Sequence, residues 1–311
     1  MSAGAVGETP TPTIYVTGAR GQLGRQVAAR SPWPVRAFGS GELDISDPDS
    51  VRSGLAALTA GDVVINCAAH TQVDAAESDP DGAAAVNTAG PRLLAEQTRR
   101  SGAWLIHVST DYVFDGRATR PYEPDDADGV TPASVYGRTK RDGELAARAT
   151  DPRTTIVRTA WVYTGTPANA DFVSTMRRLE QTRDQVRVVD DQRGSPTYTV
   201  DLAQGLLELA TTPGEGRIGA ILHATNAGSC TWFELARAVF AEVGADPARV
   251  QPCTTEEFPR PAPRPSYSVL SNRSWSQAGL TPLREWQAAL HAAIAAAPAE
   301  SGTLGDSAAQ R

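Results

Sequence analysis

The sequence predicts an α/β fold: a doubly wound parallel sheet followed by a smaller, mixed α/β C-terminal lobe. Three observations predict it. Short β-branched runs alternate with helical patterns through the first half, the rhythm of strands joined by crossover helices. The chain opens on a strand, a glycine turn and a helix. Beyond about residue 160 the rhythm breaks into shorter elements separated by turn-rich and proline-rich stretches.

The elements follow in order. Thr13-Ile14-Tyr15-Val16-Thr17 is a β-branched and aromatic run and reads as a buried strand. Gly18, Gly21 and Gly24 come next at three-residue spacing, and a helical pattern begins there. Backbone N–H groups at a helix N-terminus attract a pyrophosphate, and glycine lets it approach. The spacing is one residue longer than G-x-G-x-x-G, so the turn is a variant of that dinucleotide fingerprint and the sheet is of the Rossmann type. Gly18, Arg20, Gly21, Gln22, Leu23 and Gly24 are the candidates in this loop. The second strand, about Val35 to Phe38, runs into Gly39-Ser40-Gly41, with no carboxylate to hold a ribose 2′-hydroxyl. Arg20 can pair a 2′-phosphate. NADPH is therefore the expected cofactor, with NADH possible.

The third strand lies in Asp62 to Ala69 and ends in small residues that leave room for a ligand. A helix follows at about Asp81 to Arg100. The next strand, Trp104 to Val108, delivers Ser109-Thr110-Asp111. A loop from Gly116 to Pro132 leads to a helix carrying Tyr136 and Lys140. Thr155 to Thr159 is a further strand, and Trp161 stands just past its carboxyl end, where α/β folds bind ligands. In the second half, helices are expected at 172–181, 200–210, 231–243 and 282–296. Asp190 to Thr197 is a turn-rich loop, and Pro259 to Pro265 is extended.

Tyr136 and Lys140 are four apart, so they share a helix face. A neighbouring ammonium favours the phenolate and should lower the phenol's pKa below its ordinary value of about 10. A phenol so placed is a general acid or base toward a carbonyl or alcohol oxygen. Thr110, at a strand end, can bond the same oxygen.

Composition narrows the partners. The 311 residues carry a net charge of −7, and no basic stripe marks a nucleic-acid groove. Mean hydropathy is −0.30, and no apolar run nears the ~18 residues of a membrane span. The first residues lack a signal-peptide pattern. Cys67, Cys230 and Cys253 form no C-x-x-C pair, which fits reduced thiols and a cytoplasmic location. His70, His107, His223 and His291 show no ligand spacing and read as packing or solvent residues, so no metal is expected. Asp74 and Glu77 either cap or solvate a helix start or belong to the site.

The ordered set of motifs resembles the extended short-chain dehydrogenase/reductase superfamily. The carrying stretches are Gly18–Gly24, Asn66-Cys67-Ala68-Ala69-His70-Thr71, Val73-Asp74-x-x-Glu77 and Val86-Asn87. Then come Ser109 to Gly116, Tyr136-Gly137-x-x-Lys140-x-x-Gly143-Glu144 and Arg158-Thr159-x-Trp161-Val162-Tyr163. Asp191-Gln192-x-Gly194-x-Pro196-Thr197 and Arg264-Pro265-x-x-Ser268 close the series. Within that superfamily the chain is similar to the reductases of dTDP-4-dehydrorhamnose, over roughly Thr13 to Ala296.

The resemblance implies the roles. Tyr136 protonates the C4 oxygen of the sugar as hydride arrives from the nicotinamide. Lys140 holds the nicotinamide ribose, and Thr110 bonds the C4 oxygen. Ala68 and Ala69 flank the cofactor, and Asp44 and Ile45 border the adenine. Val73, Ser109, Asp111 and Trp161 shape the sugar pocket, with Gln192, Thr197 and Arg264 on the nucleotide-sugar side. It also implies an NADP-binding domain over 13–160, to which about 182–216 and 254–271 return. The substrate lobe takes about 161–181, 217–253 and 272–298, with disordered tails at 1–12 and 299–311. The partner is a small dTDP-sugar, and the chain is a monomer or homodimer.

The chain departs from the pattern in carrying Asp171-Phe172 where relatives often carry Asn-Phe, which puts a substrate contact there in doubt. No carboxylate cluster suggests the divalent cation through which some relatives are thought to dimerise. Dehydratases of the superfamily pair an Asp and a Glu after the Thr, whereas Thr110-Asp111 is followed here by Tyr112. The alternatives are another nucleotide-sugar reductase or an epimerase, or a non-catalytic regulatory subunit of the methionine adenosyltransferase type.

Overall fold

The structure, a computed structural model, describes residues 11–297. Apart from residues 11 and 12, the tails expected at 1–12 and 299–311 lie outside the described residues. β1 (Ile14–Thr17) is buried along its whole length. Then α1 (Gln22–Arg30) leads to β2 (Val35–Phe38), and α2 (Pro48–Gly54) to β3 (Val63–Asn66). α3 (Val73–Ser78), α4 (Pro80–Ala84) and α5 (Gly90–Ser101) lead to β4 (Trp104–Thr110), and α6 (Val135–Thr150) to β5 (Thr155–Thr159). Shorter elements follow: β6 (Val162–Tyr163), α7 (Phe172–Thr182), β7 (Val186–Val189), β8 (Arg193–Gly194), β9 (Thr197–Tyr198) and α8 (Thr199–Thr211). Last come β10 (Ile221–His223), β11 (Cys230–Thr231), α9 (Trp232–Glu242), β12 (Val250–Cys253), α10 (Arg273–Gln277) and α11 (Trp286–Ala296).

Six parallel strands form the main sheet in the order β10-β5-β4-β3-β1-β2. The chain moves outward from β1 to β2, then returns to β3 on the other side of β1. The winding therefore reverses between β1 and β3, and ligands bind beyond the carboxyl ends at such a point. One face of the sheet packs on α1, α8 and α10 through Val27, Leu202, Leu206 and Trp275. The other packs on α2 and α5 through Val51, Leu93 and Leu94. A separate core joins α7, α9 and α11 around the parallel pair β7–β12, with Met176, Val188, Val239, Phe240 and Leu290 at its centre.

Three segments differ from the expected division. Residues 217–253 supply β10 to the main sheet, because Ile221-Leu222-His223 pairs with Ile156-Val157-Arg158. In 272–298, Trp275, Ala278 and Leu280 pack into the main-sheet core. In 182–216, β7 stays with the lobe through β12.

The helix expected at 81–100 has a π turn at Ala85–Ala89 between α4 and α5. Pro91 has no N–H to offer the Asn87 carbonyl, which disrupts the helical ladder there. The freed carbonyl lies against Gly143 of α6, where a Cβ would collide with it.

Candidate active site

The nucleotide side is built from close approach. Gly18 has φ +68°, and a Cβ there would come within 2.6 Å of the Ala68 amide. Only glycine lets the ends of β1 and β3 meet this closely. Gly21 precedes α1 without a side-chain cap, leaving the first N–H groups of that helix open to an anion. This cradle fits a dinucleotide pyrophosphate.

Arg20 is exposed at the end of β2 and ion-paired with Glu42. This corrects the sequence expectation that no carboxylate reaches that strand end. The chain turns sharply, with Glu42 N and Leu43 N both donating to Gly39 O. Glu42 Oε2 then accepts from Gly39 N at 2.8 Å. Asp44 is exposed, and its carboxylate accepts from Ser46 N and Oγ. Ile45 is buried beneath Gly90.

The candidate catalytic residues gather at the carboxyl end of β4. Thr110 Oγ1 donates to Asp111 Oδ1 at 3.0 Å and accepts from Tyr112 N. Tyr136 sits in the first turn of α6. That helix is capped by Ser134, whose hydroxyl accepts from Gly137 N, and by Glu77, which accepts from Val135 N at 2.8 Å. Asp74 accepts from Ala262 N and pairs with Arg264 at 2.9 Å. Both acids therefore hold the framework. Val73, Ala76, Ala83 and Val135 pack around Tyr136, and the Tyr112 ring meets its edge at 5.5 Å.

Lys140 shares the helix face, as expected, but it does not lower the phenol's pKa. Its Nζ donates to Val108 O at 2.8 Å and lies 3.4 Å from His107 Nε2. Burial pushes the Tyr136 hydroxyl up to about 12, against a hydrogen bond with Thr110. The phenol is therefore protonated at neutral pH, as a proton donor requires. Burial also pulls Lys140 down to about 8, opposed by Glu144 and Cys67. It pushes Asp111 up to about 6. Beneath the site, Glu144 forms a buried two-pronged pair with Arg158 at 2.9 and 2.7 Å. Burial opposes the Glu144 charge, but the guanidinium still holds that carboxyl below its ordinary range.

The stretch just past β5 is aromatic. Trp161 follows β5 with φ +46°, the sole non-glycine residue with positive φ among those described. Such strain gathers at functional sites. Its indole stacks on Trp232 at 3.4 Å and 6°, and Trp232 leans on Phe172. The indole also covers Gly194, where any Cβ would run into it. Thr197 is fully buried, with its hydroxyl on Ser195 O. Gln192 donates to Thr255 Oγ1. Asp171 caps α7 through Ser174 and accepts from Thr164 N and Oγ1, so its carboxylate is engaged within the fold.

Four participants were given no site role from the sequence, although Asn66 and Asn87 stand in its motifs. Asn87 ties the loop after β3 to α6, accepting from His70 N and donating to Thr139 Oγ1. Asn66 and His107 form a buried row ending at Lys140, and Trp232 backs Trp161. The signal for Asn66 and His107 was a polar residue inside an otherwise apolar strand. Among the described residues no group of three or more His, Cys, Asp or Glu could hold a metal ion, and no helix is long and apolar enough to cross a membrane.

A glycine cradle and a Thr110–Tyr136–Lys140 face on a doubly wound sheet define a Rossmann-type protein of the short-chain dehydrogenase/reductase kind. The model of one family, described as the RmlD substrate binding domain, matches residues 12–298. The chain belongs to that family. It is 52% identical over 298 residues to a dTDP-4-dehydrorhamnose reductase of Mycobacterium tuberculosis, covering 94% of this chain and 95% of the relative. A crystal structure of a dTDP-4-dehydrorhamnose reductase from Clostridium acetobutylicum superposes with a TM-score of 0.82 at 40% identity, covering 91% of this chain and 98% of that one. A Bacillus anthracis dTDP-4-dehydrorhamnose reductase in complex with NADP gives 0.84 at 33% identity, covering 92% and 99%.

Proposed function

We propose that this chain is an NADPH-dependent reductase. It converts the C4 keto group of dTDP-4-dehydro-L-rhamnose to the alcohol, giving dTDP-L-rhamnose. The observation that carries the reading is the buried Tyr136 hydroxyl beside Thr110, at the carboxyl end of the same parallel sheet whose β1 and β3 ends form the glycine cradle. Relatives over nearly the whole chain bear the name of this reductase, and one holds NADP.

A bound nicotinamide would supply the hydride. The chain's residues do the rest. Gly18, Gly21 and the open N-terminus of α1 hold the pyrophosphate, and Arg20 is the side chain that takes a 2′-phosphate by exchanging it for its ion pair with Glu42. Ala68 and Ala69 leave room beside it. Lys140 orients the ribose from its anchor on Val108 O. Thr110 positions the ketone oxygen, and Tyr136 gives that oxygen its proton as the C4 carbon accepts hydride. Asp111, Val73 and Trp161 border the sugar, and Arg264 stands ready for the nucleotide phosphates from its pairing with Asp74. Gln192 and Thr197 support that wall from within. Residues 13–160 carry the cofactor, and the lobe around α7, α9 and α11 carries the sugar. The site works in the cytoplasm, in one chain or a homodimer.

The test is NADPH oxidation by the purified protein with dTDP-4-dehydro-L-rhamnose. Turnover with production of dTDP-L-rhamnose is expected. Its absence with this sugar, alongside turnover of a differently configured dTDP-4-keto sugar, would move the assignment to that sugar.

A further inference from the structure

Behind the catalytic face a row of buried polar groups crosses the sheet. Thr17 of β1, Asn66 of β3 and His107 of β4 are register partners on adjacent strands. All three are fully buried. The row ends at Lys140.

Each link has a single way to satisfy its neighbours. The Ala68 backbone N–H can only donate, and it donates to Asn66 Oδ1 at 3.0 Å. The Thr17 hydroxyl donates to the same oxygen at 2.6 Å. The Asn66 amide is thereby oriented, with Nδ2 2.9 Å from His107 Nδ1. Nδ2 offers only hydrogens, so Nδ1 must accept. A neutral imidazole carries one N–H, which is then on Nε2, the atom facing Lys140. Burial, followed by the charge of Lys140, keeps the ring neutral. An ammonium at Lys140 would thus meet another N–H, whereas a neutral amine offers that N–H a lone pair. The contact with Val108 O suits both forms.

We propose that Asn66 and His107 are positioning residues that fix the Nε2–H tautomer against Lys140 and weaken that side chain's hold on its ammonium proton. The titratable groups around Lys140 come from three elements. Glu144 lies on α6 itself, Cys67 follows β3, and His107 comes from β4. Glu144 is in turn matched by Arg158 of β5 and by Arg141. Glu144 and Cys67 favour the ammonium, and His107 opposes it. The proposal builds on the role of Lys140 above, and its first readout does not depend on that role.

The first readout is the 15N spectrum of the histidines in the full chain without ligand, with His107 assigned through its own backbone. A neutral ring protonated on Nε2 is expected. A ring protonated on Nδ1, or an imidazolium at neutral pH, overturns the proposal whatever the reaction is. The second readout is the pH profile of turnover. Asn66→Asp gives Nδ1 a carboxylate to donate to, so the proton should leave Nε2. His107→Gln removes the obligatory donor without adding charge. Both should move the alkaline limb, where the ammonium is lost, upward by about one pH unit. An unmoved limb in His107→Gln overturns the link to Lys140. The expected tautomer in a protein that does not turn over the sugar supports this inference and strikes the substrate assignment instead.

Discussion

The proposed catalytic residues and the proposed sugar wall hold their side chains by opposite means. On the catalytic side, Lys140 and Glu144 are almost wholly buried and tied by directional hydrogen bonds to Val108 O and Arg158. At the proposed sugar wall, Trp161 is partly exposed and lies flat on Trp232, held by a stacked face and a strained backbone. Hydrogen bonds fix individual atoms, which a proton transfer needs. A stacked face fixes a plane but lets it slide, which suits a wall that meets a sugar. Substitutions on the first side should therefore cost chemistry or folding, and those on the second should cost affinity.

The largest effect expected is in Tyr136→Phe. It keeps the ring packing and removes the proton donor, so turnover should fall about 10²–10⁴-fold. Cofactor affinity should stay near wild type, as titration with NADPH would report. A fall of less than tenfold would mean that the proton comes from elsewhere. Next is Glu144→Gln, which leaves the Arg158 guanidinium buried without its counter-charge. Breaking a buried pair in this way costs roughly 3–5 kcal/mol, read from urea unfolding. A cost near zero would show that this side is no more rigidly held than the other.

Asp111 adds a pH signature. Its folded pKa, about 6, stands above its ordinary value of 3.8, so the native state binds the extra proton. Its contribution to stability is full below about pH 4 and is lost as pH rises through 6. At roughly 1.4 kcal/mol per pH unit, the loss is about 3 kcal/mol, and Asp111→Asn should abolish it. Parallel unfolding series on both proteins from pH 4 to 7 would refute the shift if the two curves kept the same slope. The smallest effect is expected from Trp232→Ala. Losing one stacked partner is worth about 0.5–1.5 kcal/mol. It should appear as a rise in the KM for the sugar with kcat unchanged, and a change confined to kcat would erase the contrast between the two sides.

Much of the first half was legible because its signals are local. The strand expected at 155–159 is β5 itself, and the Tyr136 helix and the glycine turn stand where their patterns put them. What was not legible depends on groups distant in sequence. β10, β7 and β12 are runs of three or four residues that gain strand structure only from partners far along the chain. The spacing of Tyr136 and Lys140 said that they share a face, but not that Val108 O would draw the ammonium away. Nor did it say that apolar neighbours would raise the phenol's pKa. Glu42 was missed because a tight turn brings it back beside Gly39. Trp232 was missed because nothing in the sequence near Trp161 names its stacking partner.

The contact between Trp161 and Gly194 makes the order of mutation matter. Any side chain at 194 collides with the indole, so that position is closed while the tryptophan is present. Shrinking residue 161 first opens it. The reverse order passes through a variant with a misplaced pocket wall. The two positions therefore behave as one hereditary unit. A library that randomises 194 alone will return glycine, and one that randomises both can rebuild this wall for a sugar of different shape.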